Sequence, residues 1–310
     1  MIRPAPPRVL ALLPVALGDL LVSVPALLAI NGRLEIWGRE DFLPVLRGHA
    51  SVAATGAFER PGIHLLFSDG APELPFDLSR ALAGFDAVVA GLGSPGGALE
   101  RSLRAASVRR VVTAPVPARD ARGGPRATLR IRAALESAGL ALKPHEPLGL
   151  EPDSEAIAIA DALLSKAGID PGAPIFLFHP GSGSPRKNWP LKRFLSVARA
   201  ARDLRGLAPL AITGPADEAE RHEIARTDFP VMNAPPVEAL LSLLSRASAY
   251  AGNDSGVSHL AAAARTSGVV IFGPTDPAVW APDSARLRII RAGNRAESVT
   301  EGDVLAALGL

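Results

Sequence analysis

Short β-rich runs alternate with Ala- and Leu-rich helical stretches along the whole chain, and this alternation limits the fold more than any other feature. Val9 to Leu13, Leu34-Glu-Ile-Trp37, Phe85-Asp-Ala-Val-Val-Ala90 and Arg110-Val-Val-Thr113 lie in the first half. Ile175-Phe-Leu-Phe178, Leu210-Ala-Ile-Thr213, Ala247 to Ala251 and Val269-Val-Ile-Phe272 repeat the rhythm in the second. Strands separated by helices are joined by crossovers, which sets them parallel. Between the halves, Leu142 to Asp153 carries three prolines and no clear periodicity, so it reads as a linker. At 310 residues the chain is long for one core. The expected fold is α/β, with two Rossmann-like domains over residues 1–150 and 151–310, their parallel sheets facing across a cleft. The last helix is expected to pack back on the first domain.

Composition removes several function classes. With 48% hydrophobic and 21% charged residues the chain is core-forming rather than disordered. It has no cysteine, hence no disulfide, no thiolate nucleophile and no Cys-ligated metal, which fits a reducing cytoplasm. A formal charge of +2 gives no ground for a nucleic-acid partner. Val9 to Ile30 is apolar except for Asp19 and follows the basic run Met1 to Arg8, which resembles a signal peptide or a membrane span. Pro14, Gly18-Asp19 and Pro25 favour a buried strand, a loop over 14–18 and a helix from Asp19.

In parallel sheets ligands bind beyond the carboxyl ends of the strands, so the post-strand loops hold the candidate chemistry. The first is Leu17-Gly-Asp-Leu20, where Asp19 serves either as a general base or as an ordinary acid at a helix start. The second is His179 to Pro190, whose Ser182 and Gly183 offer donors and whose Arg186 and Lys187 offer charge, an oxyanion cradle distinct from a Walker A loop. Only four lysines accompany 29 arginines, and keeping a compact ammonium at 187 hints at a use for it. The third is Gly252 to His259, a tight turn into a helix opening at Gly256. Its amides and positive end suit a phosphate, although Asp254 and Ser255 also stand where caps stand. His259 lies one turn in, on the face of Ser255. Asp217-Glu218, after another strand, suits either a ribose hydroxyl or a cap for the next helix.

Other patterns carry less. Gly91-Leu-Gly-Ser-Pro-Gly96 has dinucleotide-fingerprint spacing but contains Pro95 and lacks the downstream acid. Asp254, Ser255 and His259 are hydrolase residue types without a G-x-S-x-G elbow. No His, Asp or Glu cluster has metal-ligand spacing, so no metal is expected. Arg101 to Arg132 holds nine arginines against Asp120, a face for an anionic acceptor or membrane, or simply a solvated one.

Three stretches together resemble glycosyltransferase family nine, the ADP-heptose lipopolysaccharide heptosyltransferases. They are Ala16-Leu-Gly-Asp-Leu-Leu-Val-Ser-Val-Pro25, His179-Pro-Gly-Ser through Lys187-Asn-Trp-Pro190 and Phe194, and Gly252-Asn-Asp-Ser-Gly-Val-Ser-His-Leu-Ala-Ala-Ala with Phe272-Gly-Pro-Thr-Asp-Pro277. The resemblance implies the two-Rossmann GT-B fold, an acceptor side in the first domain and a nucleotide-sugar side in the second. It implies Asp19 as catalytic base and matches Ser182, Gly183, Lys187, Asp254, Ser255, Gly256 and His259 to donor-binding positions; Asp217 and Glu218 join them on the strand-end reading. The family's basic residue in the first strand and hydroxyl residue before the Gly-Asp correspond here to Leu13 and Val15, both on the acceptor side.

The implied activity is inverting, metal-independent transfer of a sugar from a nucleotide-diphospho-sugar, ADP-heptose, to a lipopolysaccharide-core-like or other glycan acceptor. The donor is a substrate and no cofactor is expected. The implied location is cytoplasmic, peripheral at the inner membrane if the acceptor is lipid-linked. A catalytically degenerate nucleotide-binding protein acting as a partner or regulator, and a sugar-nucleotide epimerase, are the competing readings on the same architecture.

Overall fold

The computed structural model describes residues 5–70 and 73–310, so the start of the basic N-terminal run, residues 1–4, lies outside it. The chain divides into two compact units. The first runs to Ala118 and resumes over Pro125–Glu146; the second comprises Arg119–Gly124 and Pro147–Leu310.

The first unit contains β1 (Arg8–Leu13), α1 (Leu17–Leu28), β2 (Arg33–Gly38), β3 (Val52–Ala57), α2 (Phe76–Ala83), β4 (Ala87–Ala90), α3 (Ala98–Ala105), β5 (Arg110–Thr113) and α4 (Ala127–Ser137). Its parallel sheet has the order β3-β2-β1-β4-β5. The central strand β1 is buried from Val9 to Leu13, as a strand covered by helices on both faces must be. No helix among the described residues is long and apolar enough to cross a membrane. The apolar N-terminal stretch is strand, loop and helix, with α1 opening at Leu17, two residues before Asp19.

The second unit contains α5 (Ser154–Lys166), β6 (Ile175–His179), α6 (Leu191–Arg205), β7 (Ala208–Thr213), α7 (Glu218–Ile224), β8 (Val231–Asn233), α8 (Val237–Arg246), β9 (Ala249–Asn253), α9 (Gly256–Ala263), β10 (Gly268–Phe272), α10 (Pro277–Trp280), β11 (Leu287–Arg291) and α11 (Glu301–Leu308). Its parallel sheet has the order β11-β10-β9-β6-β7-β8. The last helix, α11, packs against α6, β10 and β11 of its own unit.

The segment Arg119–Gly124 comes from the first half of the sequence but belongs to the second unit. The Gly123 N–H donates to Asp276 Oδ2 at 2.8 Å, and the Arg119 guanidinium lies 5.3 Å from the Trp280 ring centroid. Gly and Arg pairs in a polar loop gave no sign of this in the linear pattern.

An aromatic column holds the second core. Phe178 stacks on Phe176 at 5.9 Å and on Phe194 at 6.2 Å, meets Phe229 edge-on at 6.5 Å, and Phe194 takes the edge of Trp189 at 4.9 Å. All but Phe229 are at most 1% exposed. The column ties β6 to α6 and so fixes both ends of the loop between them. Phe178→Ala should lower unfolding free energy by about 3–5 kcal/mol, from lost burial and an unfilled cavity, as read by urea denaturation.

Candidate functional site

Each sheet reverses its winding once. In the first, β2 and β3 extend from one side of β1 and β4 and β5 from the other; in the second the reversal falls between β6 and β9. Crossovers there leave on opposite faces, so the loops after the two strands diverge over the sheet's carboxyl edge, where α/β ligands bind. The loop of residues 14–16, leading into the first turn of α1 that holds Asp19, follows β1, while the His179–Pro190 loop and the Asp254-Ser255 turn follow β6 and β9.

In the second unit, Lys187 Nζ donates to Asp254 Oδ2 at 2.7 Å, with side-chain exposures of 15% and 7%. The same oxygen accepts from Thr275 Oγ1 at 2.6 Å. This charge-assisted pair joins the loop after β6 to the N-terminus of α9, and Thr275 adds the loop after β10. Ser255 is the N-cap of α9; its Oγ accepts from the Ser258 N–H at 3.4 Å, so it caps the helix. An α-helix gives the N–H groups of its first turn, here Gly256 and Val257, no intrahelical acceptor, and the macrodipole makes that end positive. Lys187 and the start of α9 therefore form a cationic corner able to hold a phosphate group.

His259, one turn into α9, is partly buried. Burial lowers its pKa to about 4, Asp254 opposes the shift, and the positive charges of Lys187 and Arg119 add to it. Its ring is neutral at pH 7. Arg119 therefore contributes positive potential here, from a loop the sequence did not connect with the site.

The remaining residues occupy distinct surroundings. The Ser182 hydroxyl lies 2.7 Å from the Ser184 carbonyl and 2.6 Å from Asn188 Oδ1, and accepts from the Ser184 N–H at 3.2 Å, so it is engaged within its own loop. Asn188 Nδ2 donates to Glu220 Oε1 at 3.2 Å. Gly183 is exposed, with nothing within 4 Å of where a Cβ would stand. Asp217 is buried, closes its turn by accepting from the Gly214 N–H at 2.7 Å, and packs so tightly on Gly181 that a Cβ there would meet its carboxylate. Glu218 is exposed beside Arg221 at 3.8 Å. The buried His179 ring has Nδ1 2.9 Å from the Ile212 carbonyl. A carbonyl only accepts, so Nδ1 carries the proton; burial lowers this pKa against the pull of Ile212, Asp217 and Glu220.

In the first unit, Asp19 sits partly buried in the first turn of α1. Leu13 is 2% exposed and closes over Gly91, where a Cβ would collide with it. Val15 is partly buried in the loop that follows. The Gly91–Gly96 motif is a helix entry: Glu100 Oε2 accepts from the Gly96 N–H at 2.9 Å. Among the nine arginines, Arg101 pairs with Asp69 at 3.0 Å, Arg104 with Glu100 at 2.7 Å and Arg132 with Glu136 at 3.1 Å, while Arg110 donates to the Gly139 carbonyl at 3.1 Å. Much of this stretch is thus committed to internal contacts.

The family model for glycosyltransferase family 9 (heptosyltransferase) matches residues 118–306. No curated protein sequence matches the chain. Solved structures of glycosyltransferases share its fold. A glycosyl transferase family 9 protein from Veillonella parvula aligns with a TM-score of 0.79 at 17% identity, covering 98% of this chain and 96% of that one. E. coli ADP-heptose lps heptosyltransferase II aligns at 0.74 and 19% identity, covering 97% of each. E. coli heptosyltransferase WaaC with ADP aligns at 0.65 and 22%, covering 97% and 99%. The α/β architecture with two parallel sheets is the GT-B architecture of these structures.

The His259 shift fixes a pH dependence. A histidine whose folded pKa is depressed binds fewer protons folded than unfolded, so its stabilising contribution is complete above the unfolded value, near 6.5, and is lost as pH falls toward about 4. The unfolding free energy of wild type minus that of His259→Gln should be flat above pH 6.5 and decline between 6.5 and 4, as read by denaturation at stepped pH.

Proposed function

Because the chain belongs to glycosyltransferase family 9, the heptosyltransferase family, we propose that it transfers heptose from ADP-heptose to a lipopolysaccharide-core-like glycan with inversion at the anomeric carbon. The observation that carries the donor side is the Lys187–Asp254 contact at the N-terminus of α9, at the point where the second sheet reverses. The WaaC structure similar in fold holds ADP, which supports adenine as the base.

Asp19 takes the proton of an acceptor hydroxyl as its oxygen attacks the anomeric carbon; the carbon–oxygen bond to the diphosphate breaks, and ADP departs with the electron pair. Lys187 and the amides of Gly256 and Val257 stabilise the negative charge that develops on the leaving group, a role for which no divalent ion is required. Ser182 and Gly183 line the cradle for the diphosphate, with Ser255 and His259 beside it. Neutral His259 can donate or accept a hydrogen bond without adding charge. A lipid-linked acceptor implies a peripheral position at the cytoplasmic membrane face.

Thermal stabilisation by ADP, UDP, GDP and dTDP tests the donor reading, because ligands that bind only the native state raise the melting temperature by mass action. ADP should stabilise most, and Lys187→Ala should weaken ADP by about 10–100-fold, the value of a charge-assisted hydrogen bond. No shift with any nucleotide would overturn the reading. In a transfer assay containing a chelator, Asp19→Asn should lose about 10²–10⁴ in turnover with ADP affinity unchanged. Undiminished turnover would remove Asp19 from the chemistry.

A further inference from the structure

One buried amide holds the two halves of the cationic corner together. Asn253, the last residue of β9, is 0% exposed. Its Oδ1 accepts from the Trp189 N–H at 2.9 Å, and its Nδ2 donates to the Pro180 carbonyl at 2.6 Å, with the Gly181 carbonyl 3.4 Å away. Pro180 and Trp189 are the two ends of the loop that carries Ser182, Gly183 and Lys187, so a single side chain grips both. Its backbone carbonyl accepts from Ser258 Oγ at 2.6 Å, in the first turn of α9, and that hydroxyl is itself 2.9 Å from the buried Tyr250 hydroxyl. The next residue is Asp254, the partner of Lys187.

The chemistry of the contact is selective. The side chain must accept from one end of the loop and donate to the other from a single planar group, which a carboxamide does. Aspartate accepts but cannot donate, leucine does neither, and each unpartnered group left in a buried site is costly. Trp189 is anchored again by its Nε1, which donates to the Val299 carbonyl at 2.9 Å. The amide therefore connects a rigid part of the core to a loop whose middle is open at Gly183.

We propose that Asn253 is a positioning residue that sets the Lys187 loop at its working distance from the N-terminus of α9, so that ammonium and helix amides together hold the outer phosphate of a nucleoside diphosphate. The inference rests on the nucleotide-diphosphate reading of the site and adds to it the residue that assembles the phosphate contacts. Asn253 touches no substrate; it acts through Lys187 and α9. Its loss should be felt at the outer phosphate rather than at the nucleoside.

The experiment compares ADP with AMP, which lacks that phosphate, by titration calorimetry on the full chain. Wild type should bind ADP more tightly than AMP. Asn253→Asp, which keeps the acceptor for Trp189 and removes the donor, should weaken ADP by about tenfold or more while AMP changes by less than about twofold. The ADP-to-AMP ratio thus collapses toward that of the nucleoside part. Asn253→Ser, which retains one hydroxyl, should fall between them and decides the matter if the aspartate variant does not fold. Leu164→Ala, a buried change in α5, should lower the melting temperature and leave the ratio alone. An unchanged ratio in the Asn253 variants, or an equal loss for ADP and AMP, would return Asn253 to the scaffold and overturn the proposal. A wild type that binds no nucleoside diphosphate would overturn the reading of the site itself, and this inference with it.

Discussion

Between β6 and β9 the winding of the second sheet reverses, and because successive crossovers there run on opposite faces, the loops after these strands separate over the carboxyl edge. Everything at the cationic corner follows from that separation. The loop after β6 supplies Lys187, the turn after β9 supplies Asp254 and the open end of α9, and the loop after β10 supplies Thr275. The first sheet has the same reversal between β1 and β4, and Asp19 stands in the helix that follows β1. Position in the winding, more than residue type, sets these groups apart from the chain's other acids and bases.

Electrostatics gives the corner its character. A largely buried ion pair adds little net stability, since desolvation offsets the attraction. The Lys187–Asp254 contact is better understood as keeping an ammonium ready in a site otherwise poor in lysine. Asp254 also accepts the hydrogen bond from Thr275, so its carboxylate has a second partner besides Lys187. His259 stays uncharged beside them, which leaves Lys187, Arg119 and the helix end as the sources of positive potential.

The central strands were legible in the sequence because burial on both faces imposes continuous apolar runs, as in Val9 to Leu13 and Ile175 to Phe178. Three strands were not: β3, β8 and β11, all at sheet edges. Edge strands face solvent, so Val52–Ala57 is built from small residues, Val231–Asn233 is only three long, and Leu287–Arg291 is interrupted by Arg288 and ends on an arginine. The loops that carry the candidate residues of each unit were visible because strand ends, glycines and charges coincide there. What stayed hidden was whatever depends on distant pairing. Asn253 reads as a turn residue until its amide is seen between Pro180 and Trp189, and Thr275 sits in a Gly-Pro loop with nothing to mark Asp254 as its partner. Asp217, whose neighbourhood with Glu218 suggested a pair, instead closes its own turn while Glu218 faces solvent.

The loop of residues 119–124 makes the second unit discontinuous in sequence. Severing the chain at the linker near residue 147 would take away the N–H that Asp276 accepts and the guanidinium beside Trp280, both supplied from the other side of the cut. During synthesis the order is favourable, since residues 119–124 emerge before the sheet that receives them. A C-terminal half released on its own would carry the strands, the aromatic column and Lys187, yet lack one stretch of its own surface. In this chain, the shortest piece able to complete the second unit begins before the first unit ends.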